Sequence, residues 1–153
     1  MAVLRRCDLL FIAETDHFSL VQENNEQLIL EQMLGNEKAT IAIEDISDPR
    51  YCLKRKMLMQ YSDNSLLYLP SDNQEMLKTI TPLAQKGRKA VVIAGSKHLT
   101  GALSVDVLVR YRNKDIESTV VILDEEFPAE GIYKKQTTLG MDFIVVGSLR
   151  QRS

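Results

Sequence analysis

The chain has no tryptophan, only two cysteines and only two histidines in 153 residues. Each scarcity removes a class of explanation. Cys7 and Cys52 make at most one disulfide, and neither lies in a CxxC pair, so a disulfide framework and a cysteine-built metal centre are excluded. A reducing compartment is the expectation. An excess of one charge is also missing: 19 Lys and Arg against 21 Asp and Glu leave a net charge of -2, which gives no electrostatic reason to expect nucleic acid. The short basic clusters Lys54-Arg55-Lys56 and Lys134-Lys135 read as solvated faces. No run approaches the roughly 18 apolar residues of a membrane span. Arg5 and Arg6 ahead of Leu9 to Ala13 imitate a signal peptide, yet that apolar stretch is shorter than the minimum of about 7 residues and is cut off by Asp8 and Glu14. A cytoplasmic protein without export signal is expected, with a small-molecule ligand or substrate and neither nucleic acid nor membrane as partner. Repeats and low-complexity stretches are absent.

What is present, 44% hydrophobic, 26% charged and 6% aromatic, is an ordinary globular composition. The length suits a single domain over residues 1–153. Short apolar runs alternate with helical spacing along the chain. Strands are expected at Leu9 to Ala13, Lys38 to Glu44, Ser65 to Leu69, Ala90 to Ala94, Glu117 to Leu123 and Asp142 to Val146. Between the first two, Phe18, Val21, Leu28, Ile29 and Met33 fit a helix ended by Gly35. Ser47-Asp48-Pro49 announces another, with Leu53, Met57 and Tyr61 on its inner face. Ser71 to Gln74 fits a capping box ahead of a stripe through Met76, Leu77, Ile80, Leu83 and Ala84, which Pro82 should bend. Ala102 to Arg112 carries two patterns, a strand-like alternation of valines and a four-residue spacing through Leu99, Leu103, Val107 and Tyr111. The βαβ rhythm favours a helix there. The expected architecture is a three-layer α/β/α domain with a mainly parallel sheet of about six strands.

Both histidines follow predicted strands. His17 comes after Leu9 to Ala13 and His98 after Ala90 to Ala94, and in an open α/β sheet ligands bind beyond the carboxyl ends of the strands. Acids share the placement, because Glu14 ends the first run and Glu44 the second. Glu14 and His17, separated by a two-residue turn, suit a general base with its partner or a divalent metal. Alternatively Thr15 or Asp16 caps the next helix while His17 faces water. Gly95 permits a sharp strand exit and a close backbone approach, with Ser96 as a cap and His98 in the first helical turn. Gly95 to His98 is neither a Walker loop nor a nucleophile elbow. Glu44, on a strand taken as adjacent to the first, joins Glu14 and His17; Asp45, Asp124, Glu125 and Glu126 read as solvated strand-end acids, and Cys52 as a small core residue.

The segments DLLFIAETDHFSLVQENNEQLILEQMLGNEKATIAIE, VVIAGSKHLTGALSVDVLVRY and LGMDFIVVGS resemble, in that order, the superfamily that joins erythromycin esterases, ChaN-type haem-uptake proteins and the TraB/Tiki proteins. The resemblance implies that Glu14 and His17 match a GExxH motif, that Glu44 matches a strand-end glutamate of the hydrolytic branches, and that His98 matches a second histidine motif. Ala13 stands where the motif has glycine, and Lys97 where it has a small residue. It also implies a hydrolase in which Glu14, His17, Glu44 and His98 activate water, with a divalent metal on Glu14, His17 and His98 as one form. The alternatives are a small-ligand module, haem being one ligand with His17, His98 or Tyr133 as axial donor, or a protein interaction domain. A homodimer would enclose the pocket of so short a member.

Overall fold

A computed structural model describes residues 2–99, 101, 103–124, 131–137 and 140–146. A short helix α1 (Ala2–Arg5) leads into strand β1 (Leu9–Glu14), helix α2 (Leu20–Leu34), strand β2 (Thr40–Glu44), helix α3 (Tyr51–Met59) and strand β3 (Leu67–Leu69). Helix α4 (Asn73–Ile80), strand β4 (Ala90–Gly95), helix α5 (Val105–Arg112) and strands β5 (Ser118–Leu123), β6 (Gly131–Thr137) and β7 (Gly140–Val146) follow. The strands form one sheet in the order β3-β2-β4-β1-β5-β7-β6, parallel except for the β6–β7 pair. The mainly parallel α/β architecture thus stands, with a seventh strand. Gly131–Thr137 escapes the strand pattern because it is an edge strand, where Lys134 is exposed and, among the described residues, only β7 supplies a partner.

Every residue of β1, β2 and β4 is buried, as expected of parallel strands covered on both faces. Alternation divides their side chains between two cores. Leu10, Ile12, Ile41, Ile43, Val91 and Ile93 pack with Ile29, Leu30 and Met33 of α2 and Tyr51 and Leu58 of α3. Leu9, Phe11, Ala42, Val92 and Ala94 pack on the other face with Met76 and Ile80 of α4 and Val105 and Val109 of α5. That is the three-layer arrangement, each buried aliphatic side chain contributing about 1.5–3 kcal/mol.

Several local expectations change. β1 and β2 are not neighbours, since β4 runs between them. The inner face of α3 is Tyr51, Lys54 and Leu58, whereas Leu53 is 69% exposed and Cys52 is also on the surface. Lys54, taken for part of a solvated face, is only 1% exposed. α4 is capped by Asp72, whose side chain accepts the Glu75 amide at 3.1 Å, rather than by Ser71. Pro82 does not bend a longer helix: α4 ends at Ile80 and a 3₁₀ turn, Thr81–Leu83, takes over. The segment with two patterns is helical over Val105–Arg112, but it starts at Ser104, so His98 lies in a separate 3₁₀ turn, Ser96–His98. Ala102, Glu125 and Glu126 lie outside the described residues.

Candidate active site

Glu14, His17, Glu44 and His98 meet beyond the carboxyl ends of β1, β2 and β4. Glu14 shares the face of Leu10 and Ile12, above which α2 and α3 pack, while Glu44 shares the alternation of Ala42 and leans to the α4 side. β4 separates them, and the residue of β4 level with Glu14 is Gly95. A Cβ there would stand 3.2 Å from His17 Nε2, 3.3 Å from His17 Cε1 and 3.4 Å from Glu44 Oε1. The bare backbone at Gly95 is therefore the gap across which the two sides of the sheet exchange side chains.

On the α2/α3 side, His17 Nδ1 donates to Glu14 Oε1 at 2.9 Å. The short turn that allows this is held by Asp16 Oδ1, which accepts the Phe18 amide at 3.0 Å, and by the Thr15 hydroxyl, which donates to Leu123 O at 2.9 Å. Thr15 and Asp16 thus shape the turn, and His17 faces inward rather than water. The other Glu14 oxygen touches Lys54 Nζ, which also lies 3.0 Å from Glu26 Oε1 and donates to His17 O at 3.3 Å. Burial pushes the Lys54 ammonium down to about 7. Burial and the neighbouring Glu23 push the Glu26 carboxyl well above the usual range. With its proton on Nδ1, His17 turns the Nε2 lone pair into the crevice. Burial lowers the His17 value against the upward pull of Glu44, Glu26 and Asp16, keeping the ring neutral at pH 7.

On the other side, Glu44 Oε1 accepts the Gly95 amide at 2.9 Å and Oε2 accepts the Ser71 hydroxyl at 3.2 Å. Burial alone would raise the Glu44 carboxyl, but the Gly95 amide, both imidazoles and Ser71 together outweigh it and hold the value below the ordinary range. Glu44 is thus an ionised buried carboxylate. His98 donates from Nδ1 to Asn73 Oδ1 and faces Glu44 Oε2 with Nε2 at 3.3 Å, outside hydrogen-bond geometry. His17 Nε2 stands 3.9 Å from Glu44 Oε1, too far for a direct bond. Two imidazoles, each anchored through Nδ1, thus present Nε2 to the two oxygens of one carboxylate.

Lys54, Glu26, Ser71 and Asn73 were missed by the sequence reading. The signal for two of them was present: Lys54 shares the stripe of Tyr51 and Leu58, and Glu26 that of Gln22, Ile29 and Met33, so each is a charge on a buried helical face. Asp45 is exposed in the loop after β2. The implied metal set of Glu14, His17 and His98 does not fit, since both Glu14 oxygens are engaged by His17 and Lys54. Among the described residues no group of three or more His, Cys, Asp or Glu is arranged to hold a metal ion. Tyr133, a candidate haem donor, stands on β6, three strands from β1. No helix among the described residues is long and apolar enough to cross a membrane. Compared with family models, with curated proteins and with solved structures, the chain matches none.

Proposed function

We propose that the chain is a small hydrolase of the erythromycin-esterase and Tiki-like type, in which His17 draws a proton from a water that Glu44 orients. One observation carries the reading: the continuous series Lys54, Glu14, His17, Glu44, His98 and Asn73, in which successive side chains stand no more than 3.9 Å apart and His17 is the member open to solvent. A water in the 3.9 Å gap would donate one hydrogen to His17 Nε2 and one to Glu44 Oε1, which aims its lone pair outward at a carbonyl carbon. His17 is the proton acceptor of the two, because its Nε2 lone pair is turned into the crevice, whereas both Glu44 oxygens already accept hydrogen bonds. As oxygen attacks carbon, the water proton moves to Nε2 and Glu14 stabilises the imidazolium through Nδ1. Collapse of the tetrahedral intermediate breaks the bond to the leaving oxygen or nitrogen, which takes the proton from His17 Nε2 and so restores the resting ring.

The test is a panel of ester, lactone and peptide substrates on the wild type beside Glu14→Gln, Glu44→Gln and His98→Ala. The expected result is turnover of at least one class and a loss of about 100-fold or more in each variant. Absence of turnover across the panel, or variants that equal the wild type, removes the hydrolase reading. The second reading is a non-catalytic small-ligand module, favoured by the burial of Glu14, Glu44 and His98, which leaves His17 as the member most open to solvent. That reading expects a bound ligand to shift both imidazoles with no product formed.

A further inference from the structure

Arg55 is a cation at the site end of the sheet that the proposed chemistry does not use. It lies on α3, one turn beyond Tyr51, and its Nη2 donates to Ile46 O at 3.2 Å, two residues past Glu44. Its Cζ stands 5.4 Å from the Tyr51 ring centre and 5.7 Å from that of Tyr68, within cation–π reach of both aromatic rings. Tyr68 is on β3, level with Ile43 of β2, and Leu69 is level with Glu44, which places this pair at the same end of the sheet as the site. Tyr51 joins the two regions: its ring is 6.4 Å from the His17 ring on one side and 5.4 Å from Arg55 on the other.

Arg55 has no carboxylate partner among the described residues, whereas Arg50, which lies 4.1 Å over Phe18, is paired with Asp48 at 2.8 Å. Arg55 Nε and the Tyr51 hydroxyl are both buried without a hydrogen-bond partner among the described residues, and Tyr51 is 0% exposed. A half-buried guanidinium with an unpaired Nε, flanked by two rings, is suited to a planar anion. Two donors left unpaired beside a reactive centre are costly unless something pairs them.

We propose that Arg55, with the Tyr51 hydroxyl, forms a subsite for a carboxylate on the substrate, so that the preferred substrates are esters or amides of a diacid or of an acidic residue. The inference rests on the hydrolase reading for its kinetic arm only. Binding of the acidic group requires Arg55 and not the His17 chemistry.

The kinetic arm compares p-nitrophenyl acetate with p-nitrophenyl hemisuccinate, which differ by a terminal carboxylate. The wild type should prefer the hemisuccinate, and Arg55→Met should lower the ratio of the two kcat/KM values about tenfold, as expected for loss of one charge-assisted hydrogen bond. Arg55→Lys, which keeps the charge and loses the fork, should fall between. An unchanged ratio in Arg55→Met overturns the subsite. The binding arm uses unaltered protein and needs no turnover: added succinate should shift the Arg55 Nε–H resonance and those of the Tyr51 ring, and succinamide at the same concentration should not. If neither ester is hydrolysed and succinate still shifts Arg55, the hydrolase reading fails and the subsite stands. If succinate leaves Arg55 unmoved, the subsite fails whatever the esters do.

Discussion

Gly95 and Lys54 are the two residues on which the site geometry depends most, and each can be changed while every proposed reacting group is kept. Gly95 has φ -61 and ψ 146, angles open to any residue, so Gly95→Ala meets no backbone strain. Its stability should stay within about 1 kcal/mol of wild type, helped by lower unfolded-chain entropy. The added Cβ, however, would press on His17 Nε2 at 3.2 Å. The expected outcome is a loss of about 100-fold in kcat with a melting temperature close to wild type; unimpaired turnover in a folded Gly95→Ala protein would show that the gap is not needed. For Lys54, the consequence is electronic. Without the ammonium, the buried Glu14 becomes a carboxylic acid and donates to His17 Nδ1, which moves the ring proton to Nε2. The chain has only two histidines, so imidazole ¹⁵N spectra of Lys54→Met at neutral pH resolve this directly. Wild-type His17 should read as the Nδ1–H tautomer and the variant as Nε2–H; the same tautomer in both would remove Lys54 from its role. The methionine fills similar volume, and replacing a buried ion pair by apolar groups is often tolerated.

At the level of elements, α4 couples stability to the site. Its first residue, Asn73, fixes His98, and Ser71 just before it fixes Glu44. Asp72 caps this helix through the Glu75 amide. Asp72→Ala should cost about 1 kcal/mol and lower the melting temperature by about 2–4 °C. Activity should fall as well, because the frayed turn carries two site contacts. Thermal unfolding beside turnover checks both, and a full loss of activity with no thermal change would point to a direct role for Asp72. The elements also show what a sequence can disclose. The apolar runs Leu9–Ala13 and Ala90–Ala94 declare buried parallel strands because nothing polar interrupts them, and the acids and histidines that follow declare the site end. Strand order is not written there: the crossover from β1 to β2 is compatible with adjacent strands or with a place left for β4, and only packing decides. Lys54 was misread because its neighbours Arg55 and Lys56 suggested a solvated run, although its spacing from Tyr51 and Leu58 puts it inward.

For the molecule as a whole, the site groups set the acid limit of stability. Glu44 in the fold lies below its ordinary 4.5, so its stabilisation is complete above about that pH and is lost as pH falls through the folded value. His17 is also lowered, from 6.5, and its contribution drains away as pH falls below that figure, since the unfolded chain takes the proton first. Glu26 works in the opposite sense, because its raised value makes the fold relatively more favourable in acid. Urea midpoints measured from pH 7 to pH 3 should therefore decline in wild type, and Glu44→Gln should show a shallower slope below about pH 4.5 while keeping the decline that begins near 6.5. Parallel curves for the two proteins below pH 4.5 would mean that Glu44 is not held as an ion by its surroundings.

The bare position on β4 also supplies a criterion for recognising functional kin. Where a chain keeps an acid and a histidine after its first strand and an acid after its second, yet the strand lying between them ends in alanine or anything larger, the added carbon crowds the meeting point of the histidine and the second acid. Glycine at the place of Gly95 is the letter that leaves room for the proposed constellation to close up.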